Sequence, residues 1–182
     1  MTIFLIILIA LIVSGIFIFN RLVKDRNQVR AGWSDIDVQL TRRHDLVPQL
    51  VAAVKAYAEY EQATLTAITE LRSRSQLTEK LAEKAHLEDE LASGIKQLIA
   101  VAESYPDLKA DQNFQQLQRE LIEVEDYLQF ARRFYNGAVR IFNTRTESFP
   151  SLLVAGPLGF RQADFFAVAG EEVRDTPKIE LT

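Results

Sequence analysis

The chain opens with an unbroken apolar run and then changes to an alternation of apolar and polar residues with helical spacing. Residues 1–19 contain no charged side chain. A helix rises about 1.5 Å per residue and the hydrocarbon core of a bilayer is roughly 30 Å thick, so about 20 residues are needed to cross it. Asn20 and Arg21, at the end of the run, can extend their polar groups to the interface. The pattern predicts a transmembrane anchor over residues 1–20.

The flanks of the run distinguish an anchor from a cleaved leader. A signal peptide carries basic residues before its apolar run and a site of small residues after it, and neither pattern is present here. We therefore favour an uncleaved anchor over a cleaved or merely interfacial segment. Positive charges follow the run and none precedes it; they are Arg21, Lys24, Arg26 and Arg30. By the positive-inside rule, the N-terminus is expected outside and the rest of the chain in the cytoplasm.

Beyond the anchor, apolar residues recur every three or four positions, which predicts amphipathic helices. The first helix continues from the anchor without interruption and is expected to stop, or at least to kink, within residues 42–48. Pro48 disfavours helical backbone at Val47, and Asp45 can cap a new helix that has proline in its first turn. A second helix then extends to residues 72–75.

Two further helices complete the pattern. The third starts between residues 75 and 82 and ends at Pro106, and its polar first part, residues 79–90, is expected to be exposed or frayed. The fourth is capped by Asp111 and continues to Asn143. Four amphipathic segments with short connections predict an all-α fold in which the transmembrane helix continues into an antiparallel four-helix bundle.

Glycine and proline are concentrated after Pro150, so the bundle is expected to occupy residues 21–146 and an irregular tail residues 147–182. The tail is nevertheless rich in large apolar residues, which are expected to form an interaction segment: Phe149, Leu152, Leu153, Phe160, Phe165 and Phe166. Exposed apolar patches usually mark interaction sites. A neighbouring copy, the lipid headgroup region or the end of the chain's own bundle could cover this one.

Several polar residues fall on the apolar stripes of the second and fourth helices. They are Glu61, Arg72, Glu125, Arg132, Asn136 and Asn143. An unpaired buried charge is strongly destabilising, so the two glutamates are expected to pair with the two arginines. Such a polar core network would fix the register of the helices. The alternative is a polar pocket that binds a ligand.

Composition narrows the chemistry that the chain can perform. It has no cysteine, which excludes disulfides and thiolate metal sites, and its net charge of −4 argues against a nucleic-acid partner. The Glu-x-x-His motif that ends at His86 lies in a segment too polar to face a core. His44, beside the expected helix break, fits a solvated or hydrogen-bonded role better than metal ligation. Without a nucleophile, phosphate-binding or zinc motif, we expect no catalytic residue, no metal and no cofactor.

Several stretches of the chain resemble the LemA family of bacterial membrane-anchored proteins. They include Arg26-Asn27-Gln28-Val29, residues 33–40, Arg42-Arg43-His44-Asp45-Leu46-Val47-Pro48, residues 102–110 and Arg132-Arg133-Phe134-Tyr135-Asn136-Gly137. The polar positions that match the family pattern are Asn27, Asp35, Arg43 and Asp45, together with Glu61, Arg132, Asn136 and Asn143. The chain departs from the pattern at Tyr60, where histidine is common, and at Leu71, where alanine usually precedes the arginine.

The resemblance implies a single-pass protein of the bacterial cytoplasmic (inner) membrane, with its N-terminus outside and a bundle of long antiparallel helices in the cytoplasm. It implies no established enzyme activity. It does imply an association with membrane quality control and with membrane metalloproteases.

The leading hypothesis is a non-enzymatic, membrane-anchored scaffold or adaptor. It would self-associate into a homo-oligomer and bind a protein partner, such as a membrane metalloprotease or another quality-control protein. The alternative is a receptor or cryptic enzyme whose bundle interior holds a ligand or ion around Glu61, Glu125 and Arg132. The two hypotheses differ in whether those side chains pair with each other or surround an open cavity.

Overall fold

The computed structural model describes residues 1–57 and 62–166. Over these residues the chain is all-α, and no strand occurs in them. The helices are α1 (Thr2–Lys55), α2 (Gln62–Leu77), α3 (Leu81–Ala102), α4 (Pro106–Ala110), α5 (Gln112–Glu147) and α6 (Leu152–Ala155). The long apolar N-terminal helix packs against later helices. The predicted fold class is therefore confirmed.

The first part of α1 has the properties of a membrane anchor. Among the residues that the structure describes, α1 is the one helix long and apolar enough to cross a bilayer. Its most apolar stretch has none of its residues buried against the rest of the protein, and Ile3 and Phe17 are each 73 % exposed. A soluble surface rarely carries so large a contiguous apolar patch, so this exposure suggests an anchor.

The described residues form two compact units. Unit 1 comprises Met1–Gln39 and Tyr127–Phe165, and unit 2 comprises Leu40–Asp126 with Phe166. Helices α1 and α5 contribute residues to both units. The predicted domain boundaries after residues 20 and 146 stay predictions; α1 runs through the first without interruption and α5 ends at Glu147.

In unit 1, α1 and α5 pack antiparallel. The Trp33 and Tyr135 rings meet edge to face with centroids 5.9 Å apart. Asp25 precedes Trp33 on α1, and Arg145 follows Tyr135 on α5. The buried Asp25 carboxylate accepts a hydrogen bond from Arg145. Gly32 allows the close approach of the two helices, because a Cβ atom there would lie 3.1 Å from the Tyr135 Cα.

The chain that follows α5 returns along unit 1. Gly159 adopts a φ of +72°, a conformation that favours glycine, and turns the chain. Phe160 then packs with its ring centroid 6.4 Å from that of Phe142. Further on, the Asn143 amide donates to the Ala163 carbonyl and accepts from the Ala163 N–H, both at 2.9 Å. These contacts hold the first part of the tail against the helix pair.

Unit 2 contains the remaining part of α1, together with α2, α3, α4 and the first part of α5. Its core is apolar and includes Leu50 and Val54 of α1, Leu65 and Ile68 of α2, Leu87, Leu91 and Leu98 of α3, and Phe114, Leu117 and Leu121 of α5. Four helical segments thus meet on their apolar stripes, as the periodicity predicted. The Asp111 carboxylate accepts from the Phe114 N–H at 2.9 Å, which confirms the expected cap of α5.

Two local expectations were wrong. Helix α1 does not stop within residues 42–48; it includes Pro48 and ends at Lys55. The segment 79–90 is not exposed throughout, because Leu87 and Glu88 are buried on α3. Both errors concern residues held by contacts with distant parts of the chain, at the His44 carbonyl and at the Glu88 carboxylate.

Candidate functional site

Unit 2 contains a group of ionisable and polar side chains, here called the polar cluster, that is buried except at the partly exposed Glu125. Its members are Arg43 and His44 of α1, Ser75 of α2, Glu88 of α3 and Glu125 of α5. Arg43 is 2 % exposed and Glu88 is fully buried. Every one of the four packed helical segments of unit 2 therefore supplies a member.

The Glu88 carboxylate is the centre of the polar cluster. Its Oε2 accepts a hydrogen bond of 3.0 Å from Arg43 Nη1. Its Oε1 accepts from His44 Nε2 at 2.7 Å and from the Ser75 hydroxyl. Arg43 also donates from Nη1 to the Glu88 carbonyl oxygen at 3.2 Å and from Nη2 to the Glu125 carboxylate. The guanidinium thus joins α1 to both α3 and α5.

These contacts set the protonation state of Glu88. Burial by itself raises the pKa of a carboxyl group, because it disfavours the charged form. The hydrogen bonds from His44 and Ser75 and the positive charge of Arg43 outweigh this, and the pKa of Glu88 is lowered from its ordinary value. Glu88 is therefore an anion in the folded protein, and His44 carries its proton on Nε2 to donate to it.

The members of the polar cluster satisfy one another. Two carboxylates face one guanidinium and one imidazole, and each contact is made with another member. Among the described residues there is no group of three histidine, cysteine, aspartate or glutamate side chains that could hold a metal ion. The arrangement fixes which helix faces lie together.

Arg72 lies next to the polar cluster and has a separate partner. Its Nε donates a hydrogen bond of 2.6 Å to the backbone carbonyl of His44. In a regular helix that carbonyl would accept from the N–H of residue 48, but Pro48 has none. Arg72 thus replaces the missing helical hydrogen bond, and α1 continues through the proline.

The predicted polar core residues are distributed over both units. Glu61 lies outside the described residues. In unit 2, Glu125 binds Arg43 and Arg72 binds the His44 carbonyl. In unit 1, Arg132 and Asn136 are half-buried and have partners, and Asn143 holds Ala163. The structure therefore brings Glu125 and Arg72 near the polar cluster, while Asn143 holds the returning tail in unit 1.

Sequence reasoning missed two members of the polar cluster, Ser75 and Glu88. A signal for Glu88 was present, because it lies three residues before Leu91 and three after Ala85 on the buried stripe of α3. Ser75 carried no such signal, since a small polar residue near a helix end is common on surfaces. Of the family-pattern positions, Arg43 is in the polar cluster, whereas Asn27, Asp35 and Asp45 are exposed.

Unit 1 carries a groove between α1 and α5 with a volume of about 370 Å³, here called the aromatic groove. Its lining residues are Asp35, Val38 and Gln39 of α1 and Tyr127, Phe130, Ala131 and Phe134 of α5. The three aromatic side chains are 50–63 % exposed. They follow each other by three and four positions along α5, so they form a second apolar stripe beside the buried one.

A negative charge lines the aromatic groove and a positive charge lies beside one of its aromatic rings. Asp35 is exposed on the α1 side. On α5, the Arg133 guanidinium carbon lies 4.7 Å from the centroid of the Phe130 ring, in a cation–π contact. Because Trp33 packs against Tyr135 and the helices are antiparallel, Asp35 and Arg133 lie at about the same position along the pair.

The six tail residues expected to form an interface differ in their surroundings. Phe160 and Phe166 are buried within the chain. Phe149, Leu152, Leu153 and Phe165 are exposed. The tail interface stays a prediction, and the four exposed residues are the ones that an interface could use.

Comparison with known proteins assigns the family. A sequence model of the LemA family matches residues 32–181. The chain belongs to the LemA family. It is 28 % identical to protein LemA of Metamycoplasma hominis over 185 residues, which cover 98 % of this chain and 84 % of that protein. This match includes the apolar start of α1 as well as the helices of both units.

Two magnetosome proteins are also similar to this LemA-family chain. Magnetosome protein MamQ of Magnetospirillum gryphiswaldense is 21 % identical over 200 residues, covering 94 % of this chain and 74 % of that protein. Magnetosome protein MamQ 2 of Paramagnetospirillum magneticum is 28 % identical over 89 residues, covering 48 % of this chain and 33 % of that protein. The sequence similarity of this chain thus extends beyond proteins named LemA to magnetosome proteins.

Proposed function

We propose that this chain is a non-enzymatic, membrane-anchored scaffold or adaptor that self-associates through its aromatic groove and presents its helices to a protein partner. The observation that supports it is the exposed aromatic stripe of α5 beside Val38 in unit 1. Aromatic side chains of this size contribute most to binding when they become buried in an interface. The occupant that we propose for the groove is a second copy of this chain.

The charges beside the aromatic groove favour a second copy. Anchors in the same bilayer keep the α5 helices of two copies parallel and raise their effective concentration. A two-fold axis parallel to α5 then brings the two stripes together. Arg133 flanks the aromatic stripe on α5. The same axis therefore places Arg133 of each copy opposite Asp35 of the other copy. Electrostatic complementarity of this kind selects register and partner.

The proposal includes a location and a partner class. The positive charges that follow the apolar run support a single-pass protein of the bacterial cytoplasmic membrane with its N-terminus outside and both units in the cytoplasm. Family membership supports a partner in membrane protein quality control, such as a membrane metalloprotease. The net charge of −4 supports a protein over a nucleic acid.

The polar cluster supports a non-enzymatic role over the alternative of a receptor or cryptic enzyme. Its charged groups bind each other across four helical segments, as the groups of a structural network do. A ligand-binding pocket would instead direct charged groups at an open cavity, and the aromatic groove is lined by none of the cluster's members.

Charge reversal in the full-length protein tests the proposed interface. Asp35→Arg and Arg133→Glu should each shift the protein toward monomer in native mass spectrometry from a mild detergent. The double variant should recover the assembly, because the attraction is restored with reversed sign. Phe130→Ser should abolish it, and Glu103→Arg, at an exposed position in unit 2, serves as the control. If the wild-type protein is monomeric, or if all variants keep the wild-type assembly, the proposal is wrong.

The partner class has a test of its own. Pull-down of the full-length protein from detergent-solubilised membranes should recover a membrane metalloprotease or another quality-control protein, identified by mass spectrometry. The same experiment with Phe130→Ser shows whether that partner needs the assembled scaffold. Recovery of no such protein contradicts the proposed partner but leaves the self-association result standing.

A further inference from the structure

The register of α1 and α5 places the end of α5 beside the end of the membrane anchor. Arg145 binds Asp25, and on an antiparallel pair each later residue of α5 faces an earlier residue of α1. Both helices rise about 1.5 Å per residue. The last residue of α5, Glu147, therefore lies close to residues 21–23, immediately after the apolar run.

A second contact fixes the returning chain at the same level. The Phe160 ring packs edge to face on Phe19, the last residue of the apolar run, with centroids 5.8 Å apart. The Arg26 guanidinium carbon lies 4.9 Å from the centroid of the same Phe160 ring. Residues 148–159 thus leave and rejoin the pair of helices α1 and α5 at the end of the anchor.

The composition of this loop is that of a membrane-contacting segment. From Ser148 to Phe160 no side chain is charged. Its large apolar side chains are 51–80 % exposed, and they are Phe149, Leu152, Leu153 and Leu158. If these apolar side chains were in contact with water, the free energy of the protein would be considerably higher than with the same side chains in an apolar environment.

The backbone of the loop is also suited to an apolar environment. In hydrocarbon, every backbone N–H needs a partner within the protein. From Leu152 to Phe160, each N–H donates to a carbonyl of residues 148–156, and Pro157 has no N–H to satisfy. Internal hydrogen bonding of every N–H over residues 152–160 is not required of a loop in water.

We propose that residues 148–159 form a membrane-dipping loop, whose four exposed apolar side chains insert into the interfacial region of the bilayer that the anchor crosses. Exposed cationic side chains border this level, namely Arg21, Lys24 and Arg161, and suit the phosphates of lipid headgroups. The loop therefore gives unit 1 a second attachment to the membrane, independent of the aromatic groove.

The absence of cysteine allows a direct measurement of depth. The full-length protein carrying Leu153→Cys is spin-labelled and reconstituted into vesicles of phosphatidylcholine and phosphatidylglycerol. Collisions of the label with oxygen, which concentrates in lipid, and with an aqueous nickel chelate then report its surroundings. Gln129→Cys is the matched control, since Gln129 is an exposed residue of the same unit that does not line the aromatic groove, 18 residues and so about 27 Å along α5 from Glu147.

The label at residue 153 is expected to show an oxygen-to-nickel collision ratio several-fold higher than the label at residue 129, at every protein-to-lipid ratio. Phe149→Cys gives a second reading at a separate position. Equal aqueous accessibility at residues 153 and 129 overturns the proposal. Shielding from both reagents that depends on the protein-to-lipid ratio also overturns it, because a second copy would then cover the loop. Circular dichroism of each labelled protein verifies that the helices are intact.

Discussion

The backbone carbonyl of His44 accepts a hydrogen bond of 2.6 Å from Arg72 Nε. Pro48 cannot provide the helical hydrogen bond that this carbonyl would otherwise receive. A buried carbonyl without a partner costs about 1–3 kcal/mol, so the guanidinium of α2 compensates for the proline of α1. The continuity of α1 through unit 2 thus depends on a side chain 28 positions later in the chain.

Replacing Arg72 tests this compensation. Arg72→Met retains the apolar part of the side chain but removes the donor, and it should destabilise the protein by about 1–3 kcal/mol. Pro48→Ala in the same chain should recover part of that loss, because an alanine at this position would supply the missing N–H. Thermal melts of the detergent-solubilised protein measure both effects.

Two comparisons make the result specific. Arg74→Met removes an exposed guanidinium of the same helix and should change stability by no more than about 0.5 kcal/mol. If Pro48→Ala stabilises the wild type as much as it stabilises the Arg72→Met variant, the two residues are not coupled and our account of the helix is wrong.

The apolar periodicity predicted the all-α fold and the four apolar stripes of the core. A helix that buries one face carries apolar residues every three or four positions, and this spacing can be read directly from the sequence. The interruption expected at Pro48 shows the limit of such reasoning. Proline rules describe local backbone preferences, and here a tertiary contact overrides them. Asp111 was predicted correctly as a cap since its partner, the Phe114 N–H, is only three residues away.

The same limit explains what was missed in the polar cluster. Glu125 was identified because it interrupts an apolar stripe, but its partner Arg43 lies on another helix, and the sequence contains no information that links the two directly. Glu88 lies on the core side of α3 within a segment that is polar on average. Averaging over residues 79–90 hid the one carboxylate of this segment that the fold buries.

Glu88→Gln should be among the more destabilising single substitutions of unit 2. Removing one partner of a buried ion pair costs about 3–5 kcal/mol; since Glu125 still neutralises Arg43, we expect a loss of about 3 kcal/mol or less. Glu90→Gln is the matched control, because Glu90 is exposed and pairs with the exposed His86 at 3.6 Å, a contact expected to contribute less than about 1 kcal/mol. Similar melting temperatures for the two variants would show that the polar cluster contributes little to stability.

The pH dependence of stability should reveal the ionised state of Glu88. Its pKa is lowered in the folded protein, so its contribution is complete above the unfolded-state value of about 4.3 and is lost as the pH falls through the folded-state pKa. The difference in melting temperature between wild type and Glu88→Gln should therefore be constant near neutral pH and shrink in acid. A difference that grows on acidification would contradict the assigned charge.

Asn143→Ala should release the returning tail from α5. The amide makes two hydrogen bonds of 2.9 Å with Ala163, and their loss should raise deuterium exchange in residues 160–165 without changing the exchange of unit 2. Asn113→Ala, at an exposed position of α5, is the control. Unchanged exchange in the tail would mean that Phe160 and the Tyr135 hydroxyl, which donates to the Asp164 carbonyl, hold it alone.

The proposed orientation can be tested with reporters fused after Thr182. Four positive charges follow the apolar run, and moving them across the membrane is unfavourable. A phosphatase that folds only outside the cytoplasm should be inactive in this fusion, and a fluorescent protein that matures only in the cytoplasm should be active. Replacing Arg21, Lys24, Arg26 and Arg30 by glutamine should weaken this preference, whereas the same change at the distant Arg119 and Arg133 should not. Phosphatase activity in the unmodified fusion would place both units outside and exclude every cytoplasmic partner.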